Sequence, residues 1–140
     1  MSQMLPEKLV GDAMHTGLVT CQADTRLEEV VNILCGADVH ALVVVDIEGR
    51  ARGILSHMDI MSHYGENLSE RVADEVMTPQ VVSVTPQTPL AEAVRLMSKY
   101  RIHRLLVTEP GPGGPMPVGI LSTGDVIRDI RGSSWAWKWD

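Results

Sequence analysis

The chain has 140 residues, 44% hydrophobic and 21% charged, with a net charge of −6 at pH 7. That length holds one domain, or two small ones that could hardly keep separate cores. The acidic balance argues against a nucleic-acid binder, which shows a basic face, and no run approaches the roughly 20 apolar residues of a membrane span.

The opening MSQMLPEKLV has no apolar signal core, so a cytoplasmic location is expected. In DAMHTGLVT (12–20) a short apolar run, Leu18–Thr20, predicts a strand. Leu27, Val30, Val31 and Leu34 then recur at helical spacing, with Thr25 and Glu28 placed as a capping box. Cys21 and Cys35 lack metal-type spacing, and buried reduced thiols are expected. The fully apolar Leu42–Val45 predicts a strand covered on both faces. A turn leads to a short strand at Ile54–Leu55, and Ser56-x-x-Asp59 opens a second helix over Asp59–Tyr64.

The chain then repeats itself at an offset of 63. EVMTPQVVS (75–83) lies over DAMHTGLVT, and Leu90, Ala93, Val94 and Met97 lie over the first helix stripe. Thr88-Pro89 predicts a cap followed by proline at the first helical position. IHRLLVT (102–108) lies over VHALVVV (39–45). From GILSHMDI (53–60) against GILSTGDV (119–126) the offset becomes 66, and the extra residues fall in EPGPGGPMP (109–117), which reads as a loop. The expected fold is α/β (α+β): two β-α-β-β-α repeats, 10–66 and 72–132, packed about a pseudo-twofold axis. Residues 1–9 form an N-terminal segment and 133–140 a Trp-rich tail.

Both repeats write Gly-Ile-Leu-Ser-x-x-Asp. A Ser and an acid three residues on form a helix-start capping box. An ionised carboxylate also offers two acceptor oxygens, which suits the paired hydroxyls of a ribose. Ser56 and Ser122 can donate to a sugar or phosphate oxygen, as can Thr20 and Ser83 at the first strand of each repeat. The second repeat is the more cationic. It has Arg101-Ile102-His103-Arg104 where the first has Asp38-Val39-His40-Ala41, and arginine is suited to phosphate.

Several motifs together resemble a tandem pair of cystathionine-β-synthase (CBS) domains, a Bateman module. They are Asp12-x-Met14, DEVMTP (74–79), VHALVVVD (39–46), IHRLLV (102–107) and the two GILSxxD segments. Val43 and Leu106 stand where the family often has proline. The resemblance implies ribose binding by Asp59 and Asp125. It also implies adenine slots lined by Met14, Thr16, Gly17 and Leu18 with Ile54, and by Met77, Pro79, Gln80 and Val81 with Ile120. The IHR form resembles the γ subunit of AMP-activated protein kinase, where the His-Arg pair meets phosphate. That assigns phosphate contacts to His103 and Arg104, with Arg101 nearby in sequence and His40 at the matching place of the first repeat. The implied function is a stand-alone regulatory module that binds an adenine nucleotide or other adenosyl ligand between the repeats. AMP, ADP, ATP, S-adenosylmethionine and NAD, with or without Mg, are the candidates.

No nucleophile–base pair and no Gly-rich phosphate loop is visible, so no activity of its own is expected. His57 and His63 lie six apart, unlike an i, i+4 metal pair, and no metal site is expected; nor is a membrane or nucleic-acid partner. A homodimer through the helices is expected. Trp135, Trp137 and Trp139 alternate and would share one face of a strand, as a docked tail or an oligomer contact. The rival readings are a ligand-free dimerisation or protein-interaction scaffold, and an accessory subunit of an enzyme or transporter.

Overall fold

The computed structural model describes residues 7–15, 17–79 and 82–134. In chain order the elements are α1 (Val10–Ala13), β1 (Thr20–Gln22), α2 (Leu27–Ala37), β2 (Ala41–Val45), β3 (Ala51–Ser56) and α3 (His57–Met61). A 3-10 turn (Leu68–Glu70), α4 (Ala73–Val76), β4 (Thr78–Pro79) and β5 (Ser83–Val84) follow. Next come α5 (Leu90–Tyr100), β6 (Arg104–Gly111), β7 (Gly114–Ser122) and α6 (Thr123–Ser134). Among the described residues, one compact unit is built from 17–79 with 109–117, the other from 7–15, 82–108 and 118–134.

The first of these units holds a four-stranded sheet, ordered β1-β2-β3-β4. β1 runs parallel to β2, and β3 is antiparallel to both β2 and β4. Leu42–Val45 are all buried, as a continuous apolar run demands of a central strand. The α2 stripe Leu27, Val30 and Leu34 packs with Leu42, Val44 and Leu55. Val43 donates its backbone N–H to Val19 O at 3.0 Å, a bond that the family's proline cannot make.

The other unit holds β5, β6 as far as Thr108 and β7 from Val118, in the order β5-β6-β7 with β5 parallel to β6. Leu90, Ala93 and Met97 of α5 pack with Val84, Leu105, Val107 and Leu121. The segment 109–117, expected as a loop, is instead mostly strand: β6 and β7 continue through it and turn at Pro112-Gly113. Gly113 and Gly114 supply the positive φ values that so tight a turn needs. Arg50 Nη1 donates to Gly113 O at 3.0 Å within the first unit.

Each repeat's opening segment is built into the unit that holds the other repeat's sheet. Val10 N, Gly11 N and Leu90 N bond Thr88 O, Pro86 O and Lys8 O at 2.8–2.9 Å. In the other unit Ala73 N, Asp74 N and Leu27 N bond Thr25 O, Ala23 O and Arg71 O over the same distances. Short bridges, Leu9 with Pro89 and Arg26 with Val72, complete the two straps. Each strap buries one apolar side chain fully, Val10 or Ala73.

The helix starts depart from expectation for the same reason. Thr25 and Thr88 do not cap α2 and α5, whose N-caps are Arg26 and Pro89 without a side-chain bond. Their hydroxyls accept from Gln22 N and Thr85 N, closing the preceding turn. The first helical N–H is satisfied by the strap instead. Cys35 also departs: Cys21 is buried but Cys35 is exposed. It follows Leu34, and one residue of helical rotation (about 100°) carries it off the buried stripe.

Candidate functional site

In both units a strand runs into a short helix start at Ser-x-x-Asp. Ser56 donates its N–H to Asp59 Oδ2 at 2.9 Å and its hydroxyl to the same oxygen at 3.2 Å. Ser122 does the same to Asp125 Oδ2 at 2.8 and 3.0 Å, and Asp125 N donates back to Ser122 Oγ at 3.2 Å. The capping box is therefore real in both repeats. It uses only one oxygen of each carboxylate.

The second oxygens have different partners. Asp59 Oδ1 accepts from Thr78 Oγ1 at 3.2 Å. Asp125 Oδ1 lies 2.6 Å from His15 Nδ1 and accepts from the Arg128 guanidinium. The Asp125 side chain is 2% exposed, while those of His15 and Arg128 are 62% and 61% exposed. Asp59 is half-buried. Thr78 and His15 hold the same position of the repeat, so the strap supplies the contact in both cases.

The glycines of GILSxxD make room for that strap. A Cβ on Gly53 would meet Thr78 O, Met77 Sδ and Pro79 Cα. One on Gly119 would meet Met14 Cε and His15 O. Pro79 and Thr78 are register partners of Gly53 and Ile54. Met77 and Pro79, expected beside Ile120, are thus brought to the strand of Ile54, and Met14 is brought beside Gly119, next to Ile120. Gly17 and Leu18 lead into β1 and are exposed. Thr16, Gln80 and Val81 lie outside the described residues.

Thr20 opens β1 and Ser83 opens β5; both are exposed. His40 O accepts from His57 N, and His103 O from Thr123 N, each at 3.0 Å. The His40 and His57 rings lie against each other, with centroids 4.9 Å apart. Arg104 opens β6 and is half-buried. Arg101 and Asp38 are both left-handed C-caps, with φ 54° and 55°. Sequence reasoning did not place Thr78, Arg128 or His15 at the site. Thr78 and His15 lie far along the chain from the carboxylates they meet, whereas Arg128 follows Asp125 by one helical turn, an i, i+3 spacing that was the one available signal.

Away from these acids, backbone N–H groups and the Arg50 guanidinium hold the Asp46 carboxyl below its ordinary range, the bond from Arg50 N being the strongest influence. Glu66 is lowered chiefly by its bond to His63, then by Arg71. Among the described residues no cluster of three or more His, Cys, Asp and Glu side chains is placed to hold a metal. No described helix is long and apolar enough to cross a membrane.

The sequence matches the CBS domain model twice, over residues 10–66 and 72–132. The chain belongs to the CBS domain family. The L-aspartate semialdehyde sulfurtransferase of Methanocaldococcus jannaschii is 27% identical over 127 residues, covering 91% of this chain and 24% of that enzyme. The chain spans between a quarter and a half of the length of the first curated relatives it matches. The CBS domain pair of MJ0100, solved with 5′-methylthioadenosine and S-adenosyl-L-methionine, superposes with a TM-score of 0.81 at 26% identity, over 92% of this chain and all of that one. CBSX2, solved with AMP, gives a TM-score of 0.74 at 25% identity, over 90% and 98% of the two chains.

Proposed function

We propose that this chain is a regulatory module that binds an adenine nucleotide or other adenosyl ligand and signals by a change of conformation. One observation carries the reading. In each unit a carboxylate is fixed by its helix start through Oδ2, and Oδ1 meets a side chain from the strap, joined at Asp125 by Arg128 of α6. At Asp59 that partner is a hydroxyl, so the oxygen is already set at hydroxyl-bonding distance. A ribose diol makes the same bonds in its place. The adenosyl ligands of the two neighbouring structures support the choice of ligand class. AMP, ADP, ATP, S-adenosylmethionine and NAD, with or without Mg, are the ligands to screen. The protein has no chemistry of its own in this reading and works in the cytoplasm as a homodimer. A separate enzyme or transporter reads its state. A ligand shifts that state only by its differential affinity for the two conformations.

The expected result of Asp59→Ala is a selective loss. A charged hydrogen-bonding partner is worth roughly 1.5–3 kcal/mol, about ten- to a hundredfold in affinity. Calorimetry should show that loss for a ribonucleotide and little for its 2′-deoxy analogue. Equal losses would mean that Asp59 serves only the helix start. The rival reading, a ligand-free dimerisation scaffold, draws on the exposed apolar side chains of α3 and α6. It predicts no thermal shift with any adenosyl ligand.

A further inference from the structure

The two carboxylates differ in what must leave before a ribose can enter. At Asp59 the occupant of Oδ1 is the Thr78 hydroxyl. Replacing one neutral hydroxyl by the two of a ribose changes no charge. At Asp125 the occupants are the His15 imidazole and the Arg128 guanidinium, and the carboxylate is almost wholly buried beneath them. A diol that displaces them gives the carboxylate two neutral hydroxyl donors but leaves the arginine without an anion. The cost of separating a buried ion from its partner is large. A ligand that also carries a phosphate resolves this. The diol takes Asp125, and the phosphate receives Arg128 and His15 as charge-assisted donors. Both side chains are mostly exposed, so they are free to swing to a new anion. The difference is written in two residues. Aligned repeats put His15 opposite Thr78 and Arg128 opposite Ser62. Ser62 has its hydroxyl bonded back to Met58 O and Asp59 O, and it takes no part at the Asp59 carboxylate.

We propose that His15 and Arg128 latch the Asp125 site, so that it admits an adenosyl ligand only when that ligand brings a phosphate, while the Asp59 site accepts an uncharged nucleoside. The proposal rests on the adenosyl reading above and assigns a specificity role to two side chains of the strap and α6.

The test is calorimetry on the full chain with two uncharged probes, adenosine and 5′-methylthioadenosine, and with AMP. The wild-type protein should take one uncharged nucleoside per chain and two AMP. In Asp59→Ala the nucleoside site should vanish and one AMP site remain. The decisive variant is His15→Thr with Arg128→Ser, which writes the first repeat's residues into the second. Both replaced side chains are mostly exposed; the loss of both partners of buried Asp125 should lower the melting temperature, and a retained cooperative melt with an unchanged circular dichroism spectrum verifies the fold. This variant should take two nucleosides per chain, and its affinity for AMP at Asp125 should fall tenfold or more. Two nucleoside sites in the wild type, or one in the double variant, would overturn the latch while leaving the adenosyl reading intact. Failure of all three probes to bind any form would remove that reading, and the latch with it.

Discussion

Gly53 and Gly119 show how closely the site depends on single atoms. Each lies on a strand against which the other repeat's strap is laid, and backbone atoms of that strap fill the space of a Cβ. Alanine must push a backbone carbonyl aside, because neither Thr78 O nor His15 O belongs to a flexible side-chain end. Overpacking of this kind costs roughly 1–3 kcal/mol. Gly36, on the exposed face of α2 with nothing within 4 Å of a Cβ there, should respond in the opposite sense. Alanine there should stabilise by up to about 0.5–1 kcal/mol through helix propensity. Urea melts of Gly53→Ala, Gly119→Ala and Gly36→Ala read the three values directly. A neutral Gly53→Ala would show that the strap is loose. Of these features, the sequence made the repeated glycine visible but not its reason.

The two thiols make a second residue-scale contrast. Burial pushes Cys21 up from its ordinary 9.0 to about 11, against a smaller lowering by the Thr25 hydroxyl. The folded state therefore holds this proton more tightly than the unfolded one. Its stabilising contribution is whole below about 9 and is lost as the pH rises through about 11. The thiolate is the reactive form. At pH 8.5 iodoacetamide should label exposed Cys35 in the native protein and reach Cys21 only after unfolding. Equal native labelling rates would contradict the burial of Cys21.

At the scale of elements, the helices and inner strands were legible because each carries its own signal. The α2 and α5 stripes repeat at helical spacing, and Leu42–Val45 is apolar throughout. What the sequence hid was the company each element keeps. The straps are held mainly by backbone bonds at Lys8–Gly11 and Arg71–Asp74, three in each unit. Backbone bonds leave no mark on residue type. Thr25 and Thr88 were therefore read as helix caps when their hydroxyls close a turn and the strap's backbone serves the helix. The same blindness hid the partners of Asp59 and Asp125. A Ser-x-x-Asp pair is local and visible. A contact between residues 15 and 125 is not. The segment 109–117 misled differently: its prolines and glycines suggest a loop, yet they sit in a hairpin whose turn takes up the positive φ values.

For the whole molecule, the pattern of exposed apolar side chains bears on assembly. Scattered surface hydrophobics are ordinary in a monomer. Here some of them recur at matching places of the two repeats, as Tyr64 does with Ile130. Met58 and Met61 on α3 are 70% and 63% exposed, and Ile127 and Ile130 on α6 are 63% and 46% exposed. Met61 and Ile127 occupy the same position of the repeat. An apolar, exposed position kept after the Ser-x-x-Asp start in both repeats is the kind of surface a partner covers. The partner that the proposed homodimer supplies is a second copy, and a stable pair needs about 800 Å² from each chain. Light scattering at micromolar concentration should return twice 15.3 kDa. Met61→Asp combined with Ile127→Asp places a charge on both faces, where burial against a partner would leave it unpaired. That variant should fall to the mass of one chain while the melting of its core persists, because neither side chain is buried within its own unit. A wild-type protein already at the single-chain mass would exclude the homodimer, and a double variant still at twice that mass would move the interface away from these helices.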